Sequence, residues 1–556
     1  MKRIISLVVC SALCTSLVLS GCGSKKNEGS GQTGNASSVE KTTSDAAGNA
    51  SKETKFPLSK KETFKLTVKT PRLATPFGEM ELFKKMEADT NVHIEWNNIN
   101  EDQYDQKKAL LLASKDLPDG FFMSGLTDQD LMNAAKVGTF IPLNDYIDKN
   151  APRLKAILEK RPAVKSYITS PDKKIYALPA INEMAFTNGN DPVGIGSVLQ
   201  FTNINKAWLD KLGLKVPETA DDLHTVLKAF KENDPNGNGK KDEVPLTFIN
   251  DFWCADISGV LTAFGASDNP EHRQVGNGKV YYTVAQPEYK EAMKVLSQWY
   301  KEGLIDPEAF TYKNKADLYL AKGKSPDYTV GTFAWWEIAE VVGKDRAKDY
   351  VTLKPFKNSD GKQIYKRNQV EPTAKMGLSI TKACKSPEVL MAWVDKMYDE
   401  KLSAEMQYGP IGAMYDLKDG KMVMRPIPAG TTEGEYRQKV CPGGGAPSAI
   451  LAETYDTLVN MDPRAKARLE DIKNIYFPYF DKEYWKACAY TEEELKVINE
   501  CEQPLKDYVA QMRAEFISKG GVDEKWDKYL KQLENLGLSK LLNAWQTAYD
   551  RQYGAK

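Results

Sequence analysis

The stretch from Thr63 to Trp96 most constrains the fold. Thr63-Phe-Lys-Leu-Thr-Val68 alternates polar and apolar residues as a half-buried strand does. Residues 79–89 carry Met80, Leu82, Phe83 and Met86 at helical spacing, and Val92-His-Ile-Glu-Trp96 is a second strand. Two strands joined through a helix lie parallel, so the body of the chain opens as an α/β sheet. The pattern continues with a helix around Gln106 to Ser114, a strand near Gly120 to Met123, and helices from Asp128 to Lys136 and Ala151 to Glu159. A second α/β series begins near residue 200, where a helix around Trp208, Leu209 and Leu212 stops at Gly213. The C-terminal stretch is almost wholly helical. Trp526, Tyr529, Leu530, Leu533 and Leu536 form one apolar stripe and Leu541, Leu542, Trp545 and Tyr549 another, both read as core. At roughly 150 residues per domain, 556 residues make three or four domain-sized units or two large lobes.

The N-terminus stands apart from this body. Lys2 and Arg3 precede an apolar run at residues 4–19, too short for a comfortable membrane span, which ends in Leu19-Ser-Gly-Cys22. Residues 1–21 read as a signal peptide. The small residues before Cys22 resemble a lipobox, which makes Cys22 the lipidated, palmitate-bearing N-terminus; an ordinary secretory signal with a chance cysteine is the competing reading. The tether of residues 22–55 starts at Cys22, and its residues 23–55 hold no aromatic residue and only Val39 as an apolar residue larger than alanine. Such a tether spans on the order of 30 Å. No later run is long enough to cross a bilayer, so the expectation is attachment to the outer face of the cell membrane. The remaining composition, 41% hydrophobic and 27% charged, is that of a folded protein. The 76 basic residues cancel the 76 acidic ones, which argues against a nucleic-acid partner.

Beyond Cys22 the cysteines are Cys254, Cys384, Cys441, Cys488 and Cys501, with no CxxC pair; buried thiols are favoured, and a Cys488–Cys501 bridge is the alternative. His93, His224 and His272 have no zinc-ligand spacing, and no GxSxG elbow, P-loop or GxGxxG opens a helix. The sharpest local motif runs from Asp234 to Glu243. Asp234, Asn236, Asn238, Gly239 and Lys240 match positions 1, 3, 5, 6 and 7 of an EF-hand calcium loop. Pro245 stands where the bidentate Glu belongs, so Asp242 and Glu243 would complete the shell. A structural Ca2+ site is the expectation, and an Asx-rich turn with solvated charges the competing one.

Asp116-Leu-Pro-Asp-Gly120, Thr139-Phe-Ile-Pro-Leu-Asn-Asp-Tyr146, Lys174-Ile-Tyr-Ala-Leu-Pro179, Trp208 to Pro217 before the calcium loop, Gly303-Leu-Ile-Asp-Pro-Glu308 and the ending around Trp526-Asp527 and Ala548-Tyr-Asp-Arg551 carry a family resemblance. With the lipobox and tether, the chain resembles the large extracellular solute-binding lipoproteins of carbohydrate ABC transporters, whose alginate-oligosaccharide-binding members carry a comparable calcium loop. The resemblance implies a two-lobed α/β fold of the type II periplasmic-binding-protein kind, with a hinge and extra C-terminal helices. Lobe 1 is expected at 56–190 plus about 350–415, and lobe 2 at about 195–345 plus about 416–556. It also implies a monomeric, non-enzymatic receptor that closes on an oligosaccharide and delivers it to ABC permease subunits. Gly331-Thr-Phe-Ala-Trp335-Trp336 resembles a strand end that carries a sugar-stacking ring, which makes Trp335 or Trp336 a candidate against core packing. Trp253 and Asp256 follow the strand Leu246 to Ile249, and Phe77, Glu79 and Ser124 follow strands of the first lobe. Trp208, Trp299, Trp393 and Trp526 read as core.

Three rivals remain at this stage. A peptide-binding lipoprotein shares the leader and lobes but needs charged groups for peptide termini. A secreted glycoside hydrolase needs two carboxylates about 5–9.5 Å apart across a cleft. A scaffold lipoprotein would show no stabilisation by small ligands.

Overall fold

The computed structural model describes residues 54–189, 191–313, 315–368 and 373–554. The signal peptide, Cys22 and all but the end of the tether lie outside them. The expected parallel opening is present: Glu62–Thr70 pairs in parallel with Val92–Asn100 on one side and Gly120–Phe122 on the other, and Leu378–Ile380 closes the sheet antiparallel to Gly120–Phe122. Leu66, Thr67 and Val68 are all buried, because the middle of this sheet is covered on both faces. Helix Glu81–Thr90 covers it with Leu82, Phe83 and Met86.

The second lobe is built on a mixed sheet in the order Tyr350–Thr352, Thr202–Asn205, Val330–Ala334, Val244–Thr247. Val330–Ala334 runs parallel to Val244–Thr247 and antiparallel to Thr202–Asn205. The C-terminal helices Glu492–Lys519, Val522–Asn535 and Leu538–Tyr553 share one core with this lobe, and Trp208, Trp299, Trp526 and Trp545 are buried in it. Trp393 is buried in the core of the first lobe. Thr491 starts the first of these helices with a capping box to Glu494.

A third, short sheet joins chain passes from distant parts of the sequence. Ala180–Asn182 pairs antiparallel with Thr373–Ala374 and parallel with Ser448–Ile450. This pairing moves a boundary. The chain from about 416 was expected in the second lobe, yet Tyr415, Met422, Ile450, Tyr455 and Leu458 pack with Ala404 of helix Glu400–Tyr408. Met406 of that same helix lies in the core of the first sheet, so the stretch to about 459 packs on the first-lobe side.

One buried ion cluster fastens the C-terminal helices. Arg513, on helix Glu492–Lys519, donates through Nη1 to Asp256, through Nη2 to Asp268 Oδ2 (2.6 Å) and through Nε to the Tyr289 hydroxyl (2.9 Å). His272 Nδ1 lies 2.8 Å from the other Asp268 oxygen. Removing the cation from such a cluster leaves two carboxylates buried without their partner. Arg513→Met is therefore expected to destabilise the protein by about 3 kcal/mol or more, read as a lower midpoint in denaturant titration.

Candidate ligand-binding site

A cavity of about 320 Å³ lies where the short third sheet meets the second lobe. Arg161 and Val164 enter it from the junction of helices Pro152–Lys160 and Pro162–Ile168, Asn182 to Ala185 from the end of the strand Ala180–Asn182, and Arg468 from helix Pro463–Asp471. Trp253 and Arg367 also line it. The volume falls within the range of small-ligand sites.

Its floor is a network of paired charges. Arg161 donates through Nε to Glu183 Oε1 (2.6 Å) and through Nη2 to Glu183 Oε2 (3.1 Å) and Glu453 Oε2 (2.9 Å). Burial opposes the charge of Arg161, but the two carboxylates outweigh it and hold the guanidinium above its ordinary range. Glu183 Oε2 also accepts from the Ala452 backbone N–H at 2.7 Å, so it is fully engaged. Arg367 donates to Asp191 and to the Tyr484 hydroxyl. Burial pushes that hydroxyl up to about 12. Asn182 donates to the Tyr408 hydroxyl at 3.1 Å and accepts from Tyr455, and the two tyrosine oxygens are 2.7 Å apart. Buried polar groups tied together in this way hold their rotamers, which preorganises a lining.

Of the residues singled out from sequence, Trp253 lines this cavity, with 49% of its surface exposed. Trp336 is half-buried and faces Arg468 at 5.0 Å. The others lie elsewhere. Trp335 is a core ring, stacked between Phe252 and Tyr319, with its indole N–H on Glu340 at 2.9 Å. Asp256 is the buried partner of Arg513 and is not among the residues that line this cavity. Phe77 is fully buried and packs against Phe83, Trp96 and Phe122. Ser124 is buried, its carbonyl taken by the Tyr104 hydroxyl at 2.6 Å, and Glu79 is exposed outside the cavity. Sequence reasoning missed Arg161, Asn182, Glu183, Arg367 and Arg468. The available signal was position: Asn182 and Glu183 follow Lys174 to Pro179, where the chain was expected to leave the first lobe.

The candidate calcium loop is ordered by its own side chains. Asp234 accepts from the backbone N–H groups of Gly237 (3.0 Å), Asn238 (3.1 Å) and Gly239 (3.0 Å). The Asn236 and Asn238 amides donate to Asp242 at 3.0–3.1 Å. Glu243 Oε1 is buried with no hydrogen-bond partner among the described residues. Burial, with Asp234 and Asp242 nearby, pushes its carboxyl above the usual range. Among the described residues no three His, Cys, Asp or Glu side chains converge as a metal-ligand cluster. The donor set here is a mixed one of carboxylates and amides.

No protein-family model matches the sequence. The chain is 38% identical over 509 residues, 90% of its length and 92% of the relative's, to the fructooligosaccharide ABC transporter substrate-binding protein FusA of Streptococcus pneumoniae serotype 4. The chain belongs to the substrate-binding proteins of carbohydrate ABC transporters. Its two-lobed fold matches that of FusA in complex with kestose, with a TM-score of 0.68 at 36% identity over 89% of this chain and 100% of that one. An EF-hand mutant of FusA, in complex with fructo-nystose, matches equally well, with a TM-score of 0.68. An HMO binding, ABC-transporter-associated solute binding protein of Bifidobacterium longum infantis gives a TM-score of 0.73 at 25% identity over 89% of this chain and 100% of that one. The alginate-binding protein AlgQ2 without calcium ion gives 0.58 at 27% identity over 90% and 100%. The peptide-receptor reading has no counterpart among these relatives. Among the described residues no helix is long and apolar enough to cross a membrane.

Floor and wall of the cavity differ in what they contribute to this family member. Glu183→Gln strips Arg161 of its bidentate partner inside the protein, and a loss of about 3 kcal/mol is expected. Trp253→Ala, at a half-exposed site, is expected to change stability by less than about 1 kcal/mol. Denaturant midpoints of the two variants check the contrast.

Proposed function

We propose that this protein is a monomeric, lipid-anchored receptor on the outer face of the membrane that captures an oligosaccharide of the fructan type and hands it to ABC permease subunits. The observation that carries the reading is the 38% identity to a fructooligosaccharide-binding protein across 90% of the chain. The cavity beside the third sheet supports it, because it combines one exposed indole with fixed polar groups. The face of Trp253 suits the C–H surface of a sugar ring, and the rigid Asn182 and Arg367 offer hydrogen bonds for hydroxyls. Binding of this kind needs no bond broken, and the protein acts as a carrier, not an enzyme. Closure of the two lobes around ligand would shift the population that the permease docks.

A calcium ion fits the loop from Asp234 to Glu243. The orphaned, buried Glu243 oxygen is the observation that favours a cation over a plain turn. Asp234, Asp242 and Glu243, which do not converge as a ligand cluster in this structure, would have to close on it, with the Asn236 and Asn238 amide oxygens turning from the backbone N–H groups they now accept from and the Lys240 carbonyl completing the set. Bound there, the ion would neutralise three carboxylates. The loop leads directly into strand Val244–Thr247, after which the chain reaches Trp253, so a stiff loop fixes one wall of the cavity.

Kestose at 100 times its dissociation constant is expected to stabilise the protein by about 2.7 kcal/mol. A melting series with kestose, nystose, milk, alginate and plant oligosaccharides reads this directly. A rise confined to another sugar class would replace the fructan assignment, and no rise with any sugar would sink the receptor reading. Chelation with EGTA is expected to lower the ligand-free melting temperature, with calcium restoring it and magnesium not. An unchanged melting temperature would return the loop to an Asx-rich turn.

A further inference from the structure

The lobes meet at more than the third sheet. Away from it, the end of the C-terminal helical block touches the first lobe through side chains. Lys136 Nζ lies 3.1 Å from Glu492 Oε2, and Gln552 Nε2 donates to Ser166 Oγ at 2.8 Å. Lys136 ends helix Asp128–Lys136, whose Leu131 and Ala134 pack with Phe121 of the first sheet. Ser166 lies on helix Pro162–Ile168, whose Val164 and Ile168 belong to the core of the first lobe. Glu492 and Gln552 belong to helices that share the core of the second lobe.

On the second-lobe side this contact has a stiff base. Gln552 Oε1 accepts from the Ala489 N–H at 2.8 Å, Arg551 donates to both Glu494 oxygens at 2.7 Å, and the Tyr553 hydroxyl donates to the Ala487 carbonyl at 2.7 Å. Tyr484, earlier in the same segment, is bound to Asp191 and Arg367 of the cavity lining. On the first-lobe side, helix Pro162–Ile168 brings Ala163 and Val164 to the lining and Ser166 to Gln552. One short helix thus touches both the cavity and the contact, although none of Lys136, Ser166, Glu492 and Gln552 lines the cavity. The ion pair can part easily. Lys136 and Glu492 are 72% and 49% exposed, and a space of about 340 Å³ lined by Lys136, Asp172, Lys174 and Glu492 lies beside them. Their separation strands no charge away from water, in contrast to that of Arg161 or Arg513 from its carboxylates.

We propose that Gln552 and the Lys136–Glu492 pair form a reversible clasp, which positions helix Pro162–Ile168 against the C-terminal block and so holds the cavity walls at their binding separation without touching ligand. The inference rests on the reading that a sugar occupies this cavity. The clasp raises the fraction of ligand-free protein in the binding arrangement, and apparent affinity scales with that fraction.

The test variant is Ser166→Ala combined with Lys136→Glu, which removes both bonds and leaves Gln552 on Ala489. Kestose affinity is measured by calorimetry, the radius of gyration by small-angle X-ray scattering with and without kestose, and ligand-free stability by denaturant midpoint. The variant is expected to bind kestose about three-fold to thirty-fold weaker. Its ligand-free radius of gyration is expected to exceed that of the wild type and to match it once saturated with kestose, with the midpoint unchanged. Lys136→Glu with Glu492→Lys is expected to recover part of the affinity that Lys136→Glu alone loses. Recovery is partial because each swapped charge stands at the helix end its dipole disfavours. Either an unchanged ligand-free radius or wild-type affinity overturns the clasp, and intact affinity with a lowered midpoint is the mark of a merely structural contact. A charge-swapped variant no better than Lys136→Glu alone overturns the part given to the ion pair. Wild type that does not bind kestose overturns the fructan reading, and the ligand-free radius of the variants then decides the clasp by itself.

Discussion

The pairing of Ala180–Asn182 with both Thr373–Ala374 and Ser448–Ile450 is the contact on which the cavity depends. It ties together three passes of a chain that are far apart in sequence, and the residues just beyond its strands become the lining. Glu183 leaves this strand to take Arg161 and the Ala452 N–H, which joins the helices of the first lobe to the chain behind the sheet. The passes lie so close that position 377 admits only glycine. A Cβ there would stand 2.9 Å from the Leu178 carbonyl oxygen and 3.1 Å from that of Pro179. The chain thus crosses between lobes as a paired backbone, and side chains at the crossing are held by bonds to one another.

Charge is managed at this crossing in the same way as deep in the second lobe. Arg513 between Asp256 and Asp268, and Arg161 between Glu183 and Glu453, are each matched cation to anion. Buried ion pairs are weak sources of net stability, but breaking one is costly, so they fix geometry. Rigid lobes are what a closing receptor needs, since a hinge can only report occupancy if the bodies on either side move as units. Against that background Trp253 stands out as a half-exposed ring on the cavity lining.

Much of the framework is legible in local pattern. The alternation of Thr63 to Val68 and the helical spacing from Met80 to Met86 report directly on which faces are covered, and the parallel sheet follows. Trp208, Trp299, Trp393 and Trp526 were readable as core because their apolar neighbours recur at helical spacing. Site residues were harder. Phe77 and Ser124 follow first-sheet strands, where cleft residues are expected, but the chain turns each one inward: Phe77 onto a cluster of aromatic rings, Ser124 beneath Tyr104. Asp256 differs from Trp253 only by three positions, yet one meets Arg513 and the other the cavity.

The sequence by itself determined the α/β class, the helical C-terminal block, the family and the oxygen-rich loop from Asp234 to Glu243, because each rests on residues that are neighbours along the chain or at a fixed period. Only the tertiary structure decided that Arg161, Glu183, Arg367 and Arg468 share a cavity wall with Trp253, and that the chain to about 459 packs with the first lobe. Those facts depend on long-range strand pairing and on which buried charges find partners. A one-dimensional pattern carries no record of either, since an arginine reads the same whether or not the fold brings a carboxylate to it.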